Sequence, residues 1–393
     1  MWKECKAMEQ DIIALRRALH QIPELALDLP ETLALIDAQL NDWGIPHHLS
    51  PGKAGIIGEF DGGREGKTIL LRADVDGLPI REETGLPFSS RHEGRMHACG
   101  HDAHGAMLLG ALKVLFDHRE QLTGRVRFIF QAGEEAVGGA RIAVKEGIME
   151  GVDGVFGCHI GCILSPDIPS GTVISAPGPV MAAPDRIVYT VRGQGCHGSS
   201  PEKGVDPVTI ASHIVIALQE ILAREIPASA VAVHTIGSIH GGVTYNVIPD
   251  TVVMEGTLRT VDPALRQQML DRMCAVARLT AETFRGSCDV ELDLGPGPVI
   301  NDPGLAALTA DAATEVLGER WVQRSVATPN MGGEDFSRYL AEKPGAFFFL
   351  STADRDKGTC VPHHNCRFDI DEDQLWKGSA VFVRLTERFL SGC

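Results

Sequence analysis

Three histidines and a cysteine fall within eight residues of one another, His97-Ala98-Cys99-Gly100-His101-Asp102-Ala103-His104. Neutral imidazole and thiolate are the donors that zinc and its first-row neighbours accept most readily. Gly100 allows a tight turn, so Cys99 and His101 can face one point. One histidine alone would read as packing or surface; a cluster this dense reads as ligation. About thirty residues later come Glu134 and Glu135, just beyond the apolar stretch 126–131. Two adjacent carboxylates do not easily share one role. One can bind a metal while the other serves as general base toward the attacking water. An acidic pair usually marks a solvated helix start, but this one follows a buried strand, where open α/β sheets build their sites. His159, after the apolar stretch 154–158, and His363-His364, in a loop near the C-terminus, are further candidates. Each would be bland by itself. Donors converging from several strand ends describe a catalytic site better than a finger-like structural one.

Regular elements must bring these residues together. Ile12, Ile13, Leu15 and Leu19 predict a helix over 11–20; Leu33, Ile36 and Leu40 predict another over 31–43, with Pro23 between them. Strands over 55–59 and 68–73, a helix over 104–116, a strand over 126–131, a helix over 139–146 and a strand over 154–158 follow. This alternation predicts an α/β sheet with helices on both faces. The pattern changes near residue 183. A strand over 186–191, a helix over 206–222, strands over 231–239 and 251–259, a helix over 263–283 and a strand over 289–294 spell β-α-β-β-α-β, the ferredoxin-like split motif. Pro/Gly-rich stretches at 175–179 and 295–298 bracket it. The expected organisation is a domain of 1–182 and 299–393 into which a second, 183–298, is inserted.

The chain has 393 residues and a formal net charge of −16, with 36 Lys and Arg against 52 Asp and Glu. Such a surface repels nucleic acid and anionic lipid, so neither is an expected partner. The first residues lack an apolar export segment, and no uncharged apolar run reaches membrane-spanning length, so the expected location is the cytoplasm. Ten cysteines at irregular spacing, with no C-x-x-C pair, read as reduced thiols rather than a disulfide framework or a redox motif.

The run Arg95-Met96-His97-Ala98-Cys99-Gly100-His101-Asp102-Ala103-His104 closely resembles the signature of the hippurate-hydrolase-like amidohydrolases. These are a branch of the aminoacylase and glutamate-carboxypeptidase metallopeptidase family that includes the plant auxin-conjugate hydrolases. The resemblance extends over nearly the whole chain: His20-Gln21-Ile22-Pro23-Glu24, Arg72-Ala73-Asp74-Val75-Asp76-Gly77, Gly195-Cys196-His197-Gly198, Asn246-Val247-Ile248-Pro249-Asp250, Met331-Gly332-Gly333-Glu334-Asp335-Phe336 and His364-Asn365-Cys366-Arg367-Phe368-Asp369. It implies a metallopeptidase catalytic domain with a central mixed sheet and an inserted ferredoxin-like lid and dimerisation domain. It further implies two divalent metal ions (zinc, manganese, cobalt or nickel) held by Cys99, His101, Glu135, His159 and His364, with Glu134 as general base. His197 would be the lid histidine that stabilises the oxyanion, often across a homodimer, and Asn246 and Arg259 would contact the substrate carboxylate. The implied reaction is hydrolysis of N-acyl amino acids; a dipeptidase or carboxypeptidase on the same core is the alternative. A closed structural zinc site would need four protein ligands and no spare base, so Glu134 argues against it. The chain departs from the family pattern at Cys366, where proline is usual, at Cys158 and Cys162 around His159, and at Ala132-Gly133 before the glutamates.

Overall fold

A computed structural model describes residues 1–136 and 138–392. They form two compact units, Met1–Val180 with Val299–Asn330 and Asp335–Cys393, and Met181–Pro298 with Met331–Glu334. The first unit is built on an eight-stranded sheet. Its order is His47–Leu49, Gly55–Asp61, Thr123–Gln131, Arg64–Asp74, Gly154–Gly161, Gly345–Ser351, Val173–Ile174, Val322–Gln323. The four middle strands are parallel, while Gly55–Asp61 and Val173–Ile174 run against them, so the sheet is mixed. Parallel strands buried on both faces become continuous apolar runs, and Phe347-Phe348-Phe349-Leu350 is such a run, wholly buried. In Arg64–Asp74 the faces alternate. Ile69, Leu71 and Ala73 enter the main core with helices Glu9–His20, His101–Asp117 and Leu375–Ser391. Leu70, Arg72 and Asp74 take the opposite face and are buried there too.

Two departures from the periodicity bear on the site. The helix His101–Asp117 starts three residues before its predicted start, because its first turn is the polar His101, Asp102 and His104. The strand Gly154–Gly161 runs three residues past its predicted end, so His159 lies within the strand, paired with Phe349, rather than after it. Ladder bonding to Gly345–Ser351 carries the extension.

The second unit has the order β-α-β-β-α-β, with an antiparallel sheet Ala232–Gly241, Thr251–Thr260, Ala183–Arg192, Ser287–Leu294. Helices Pro207–Glu220 and Pro263–Thr283 pack against each other. Both start at Asp-Pro steps: Asp206 accepts from Val208 N, and Asp262 from Ala264 N and Leu265 N. Aspartate satisfies free N–H groups and proline supplies a helical φ without needing a donor. Among the described residues one helical stretch, Pro207–Glu225, is long and apolar enough to cross a membrane by length and composition. Its buried residues Ile210, Ala211, Ile214, Leu218 and Ile221 form one stripe in the core of this unit, which accounts for its apolarity.

His234 lies on the strand Ala232–Gly241, buried, with neither ring nitrogen hydrogen-bonded among the described residues. Burial lowers its pKa from 6.5 to about 4. The unfolded chain therefore binds the extra proton first, and stability is lost as pH falls from 6.5 toward 4. His234→Leu is expected to remove that loss, so that its effect on stability is more favourable at pH 5 than at pH 8 by about 1–2 kcal/mol. Denaturant unfolding at the two pH values reads it; an equal effect at both would refute the protonation argument.

Candidate active site

The parallel strands end on one side, at Gln131, Asp74 and Gly161, and the donors gather there. Gly100 caps the helix His101–Asp117 in the left-handed region, φ +90°, and a Cβ on it would lie 2.4 Å from Ile160 Cδ1. Only glycine makes this turn here, and the turn sets Cys99 and His101 side by side. Ligand atoms of Cys99, His101 and His159 all lie within 4.8 Å of one another. The same holds for Cys99, Glu135 and His364, and for His101, Glu134 and Glu135. Cys99 thus belongs to two triads, and its Sγ is 3.4 Å from His159 Nε2. Glu135 Oε1 is 3.1 Å from His364 Nε2. The structure brings Cys99, His101, Glu134, Glu135, His159 and His364 together.

Hydrogen bonds decide which nitrogens are available. His101 Nδ1 donates to Asp76 O at 2.9 Å, and its buried Nε2 has no hydrogen-bond partner among the described residues. His159 Nδ1 donates to Ile160 O at 2.8 Å, turning Nε2 toward Cys99. Fixing one nitrogen with a carbonyl is how metal-binding imidazoles are usually oriented. His104 differs. Its Nδ1 faces Asp74 Oδ1 at 2.5 Å and its Nε2 accepts from Ile160 N at 3.0 Å, so both nitrogens are committed. Although Asp74, His101 and His104 also lie close together, His104 has nothing left for an ion. His97 is buried with its pKa lowered by burial to about 3, and joins none of the donor groups. His363 donates from Nε2 to Ile160 O at 3.0 Å, leaving His364 as the histidine that meets Glu135. His364 has φ +62°, a conformation uncommon outside glycine, and its N–H donates to Ala98 O at 2.8 Å. That bond ties the C-terminal loop to the residue before Cys99.

Burial, with Glu135 beside it, pushes the Cys99 thiol well above its ordinary range. Burial alone would raise the Glu135 carboxyl as well, but His364 and His101 outweigh it and hold it below the carboxylate range. A buried thiol, imidazoles with a ring nitrogen turned inward and a carboxylate are donors that fit a divalent pair.

Most of the groups that hold this cluster stand within the motifs quoted above, but sequence assigned them no role. Asp76 accepts the N–H of Glu134 and of Glu135, each at 3.2 Å, while its own carbonyl fixes His101. One residue thereby sets both the glutamate turn and an imidazole. Beneath it Arg72 donates to Asp74, Gln131 and Asp335, all at 2.9–3.0 Å, and Tyr339 donates to Gln131 at 2.9 Å. The signal was present: Arg72 and Asp74 alternate on one face of an otherwise apolar strand, and buried charges need partners.

The remaining candidates belong to the second unit. His197 ends the strand Cys196–His197, opposite Val247. Its Nδ1 accepts from Ser199 N at 3.1 Å, so a neutral ring carries its proton on Nε2. Asn246 O accepts from Gly198 N at 2.8 Å, which places Asn246 beside the His197 turn. Arg259 lies on Thr251–Thr260, half-buried, its Nε donating to Thr257 Oγ1 at 3.1 Å; it has no ion pair among the described residues.

Residues 70–388 match peptidase family M20/M25/M40. The chain is 41% identical to the N-acetyl-L-cysteine deacetylase of Bacillus subtilis (strain 168) over 384 residues, 98% of this chain and 89% of that protein. It is 37% identical to thermostable carboxypeptidase 1 of Saccharolobus solfataricus, covering 98% and 97%. It is 32% identical to IAA-amino acid hydrolase ILR1-like 5 of Arabidopsis thaliana, covering 96% and 86%. A solved structure, a dinuclear metal-binding peptidase of the M20 family from Bacillus subtilis, superposes with a TM-score of 0.84 at 34% identity, covering 99% of this chain and 100% of that one. With its signature donors gathered at the strand ends of a mixed α/β sheet, the chain belongs to peptidase family M20/M25/M40 and is a hydrolase of amide bonds.

Proposed function

We propose that the protein hydrolyses N-acyl amino acids to a carboxylate and a free amino acid. Cys99, His101 and His159 would hold one divalent ion, and Cys99, Glu135 and His364 a second, with Cys99 shared. The observation that carries the reading is Glu134: its carboxylate lies within 4.8 Å of His101 and Glu135 donor atoms, yet it belongs to neither Cys99 triad. When bound, the ions supply Lewis acidity toward the amide carbonyl and the attacking water. Glu134 takes the proton of that water and returns it to the departing nitrogen, because an amide anion is a poor leaving group. His197 Nε2–H is a donor suited to the developing oxyanion, and Asn246 with Arg259 would receive the substrate carboxylate through the bidentate fork of the guanidinium. The deacetylase and IAA-amino acid hydrolase relatives favour acyl substrates; the carboxypeptidase relative favours peptides, the second reading.

Turnover of N-acetyl, N-benzoyl and longer N-acyl amino acids, measured beside free dipeptides with zinc, manganese, cobalt or nickel added, separates the two. Faster cleavage of dipeptides throughout would overturn the first reading. His197→Ala is expected to lower kcat about 10²–10³-fold with metal content unchanged; metal loss on that change would sink the oxyanion role. We further infer a cytoplasmic homodimer. All nine described cysteines are free, which fits a reducing compartment. Sedimentation of an active monomer would remove the dimer.

A further inference from the structure

Two segments beside the donor cluster run together. One continues the strand Gly154–Gly161 through residue 168; the other leaves Gly345–Ser351 and leads to His364. They are fastened at several points. His363 Nε2 donates to Ile160 O, Thr352 N to Gly161 O at 3.3 Å, and Ser351 Oγ to Ile168 O at 2.8 Å. Arg355 pairs with Asp167 at 2.6 Å. Each segment carries one cysteine with no part in the donor cluster. Cys162 Sγ donates to Val361 O at 3.2 Å, on the residue next to Cys360, and Cys360 Sγ lies 4.0 Å from Pro166 O. Each thiol therefore touches the other's segment across one seam. Burial raises the Cys162 thiol, and the neighbouring Cys360 adds to the rise. Both are partly exposed. The other cysteines nearby are directed elsewhere: Cys158 is buried in the strand, Cys99 faces His159, and Cys366 meets Glu83 at 3.5 Å.

We propose that Cys162 and Cys360 form a reversible disulfide when the protein meets a peroxide, tying the loop of His364 to the end of the strand that carries His159. Cys360 gives up its proton and the thiolate attacks one oxygen of hydrogen peroxide; the O–O bond breaks, the leaving hydroxide takes up that proton as water, and a sulfenic acid remains on Cys360. Cys162 then attacks that sulfur, its thiol proton passing to the departing hydroxide as the S–O bond breaks, so that a second water leaves as S–S forms. The peroxide is reduced and two thiols are oxidised. A thiol reductant reverses the bond by exchange. Cys360 sits at the more open edge of the seam and is the sulfur oxidised first.

The test uses the metal-loaded full chain, treated with hydrogen peroxide, alkylated, digested without reductant and mapped by mass spectrometry. The expected product is a Cys162–Cys360 peptide pair lighter by two hydrogens than its thiol forms, restored to two alkylatable thiols by dithiothreitol. In Cys162→Ser, whose hydroxyl can still donate to Val361 O, the pair is absent and Cys360 is recovered as a sulfenic or sulfinic acid. Recovery of both cysteines alkylated or singly oxidised in the unmodified chain overturns the proposal. So does a crosslink of either one to a different cysteine.

Discussion

Glu134→Ala is expected to cut turnover by about 10²–10⁴-fold while the metal content stays that of the parent protein. That loss corresponds to about 3–5 kcal/mol of transition-state stabilisation. Retention of the ions follows from the geometry. Both Cys99 triads are complete without Glu134, and the backbone of residue 134, not its side chain, meets Asp76. Its Oε1 accepts from Asp335 N at 3.4 Å, a long bond. Glu134→Gln sharpens the case, since the amide oxygen can keep that bond but the side chain no longer accepts a proton. If both variants fall together, proton transfer is what was lost. Near-normal activity in either, with metals in place, would mean that another group deprotonates the water. A drop in metal content would instead make Glu134 a ligand.

The glutamine variant also bears on why adjacent glutamates diverge. Glu135 lies against His364 and is held ionised, as a ligand must be; Glu134 is turned toward Asp335. Residue types and spacing alone said that the pair would split its roles, and only the family resemblance gave Glu135 to the metal and Glu134 to the water; the turn itself is oriented by Asp76, from a strand end some sixty residues earlier. The same division recurs among the histidines. Density made the 97–104 run legible as a donor cluster. That His104 is spent on Asp74 and Ile160, and that His159 sits inside its strand, depends on partners that only the folded sheet supplies. Strand and helix types were legible from apolar period, and the βαββαβ order with them. Boundaries failed where the site intrudes, as at the polar first turn from His101 and the extended end at Gly161. The buried Arg72-Asp74-Asp335 network went unassigned, because the predicted strand over 68–73 was read for its apolar run and the motif residues around it only for their resemblance.

Cys99→Ala carries the other large effect, the loss of both ions together. Within the two Cys99 triads each of the other four donors serves one, so His159→Ala or His364→Ala should weaken one ion first, whereas removing Cys99 takes a donor from each. Loss of an outer partner of a metal ligand costs about 10–100-fold in affinity; loss of a thiolate common to two sites should exceed that for both, and activity should disappear with them. The thiol also supplies a pH signature. Burial and the neighbouring Glu135 keep Cys99 protonated in the absence of a cation, so binding must expel that proton. Affinity then falls as pH drops, by about tenfold per unit for each proton displaced. Chelator competition between pH 6 and 8 should give a slope one proton steeper in the parent than in Cys99→Ala, for whatever residual binding the variant retains. Equal slopes would show that Cys99 does not ligate as a thiolate. Loss of one ion with the second unaffected would show that it is not shared.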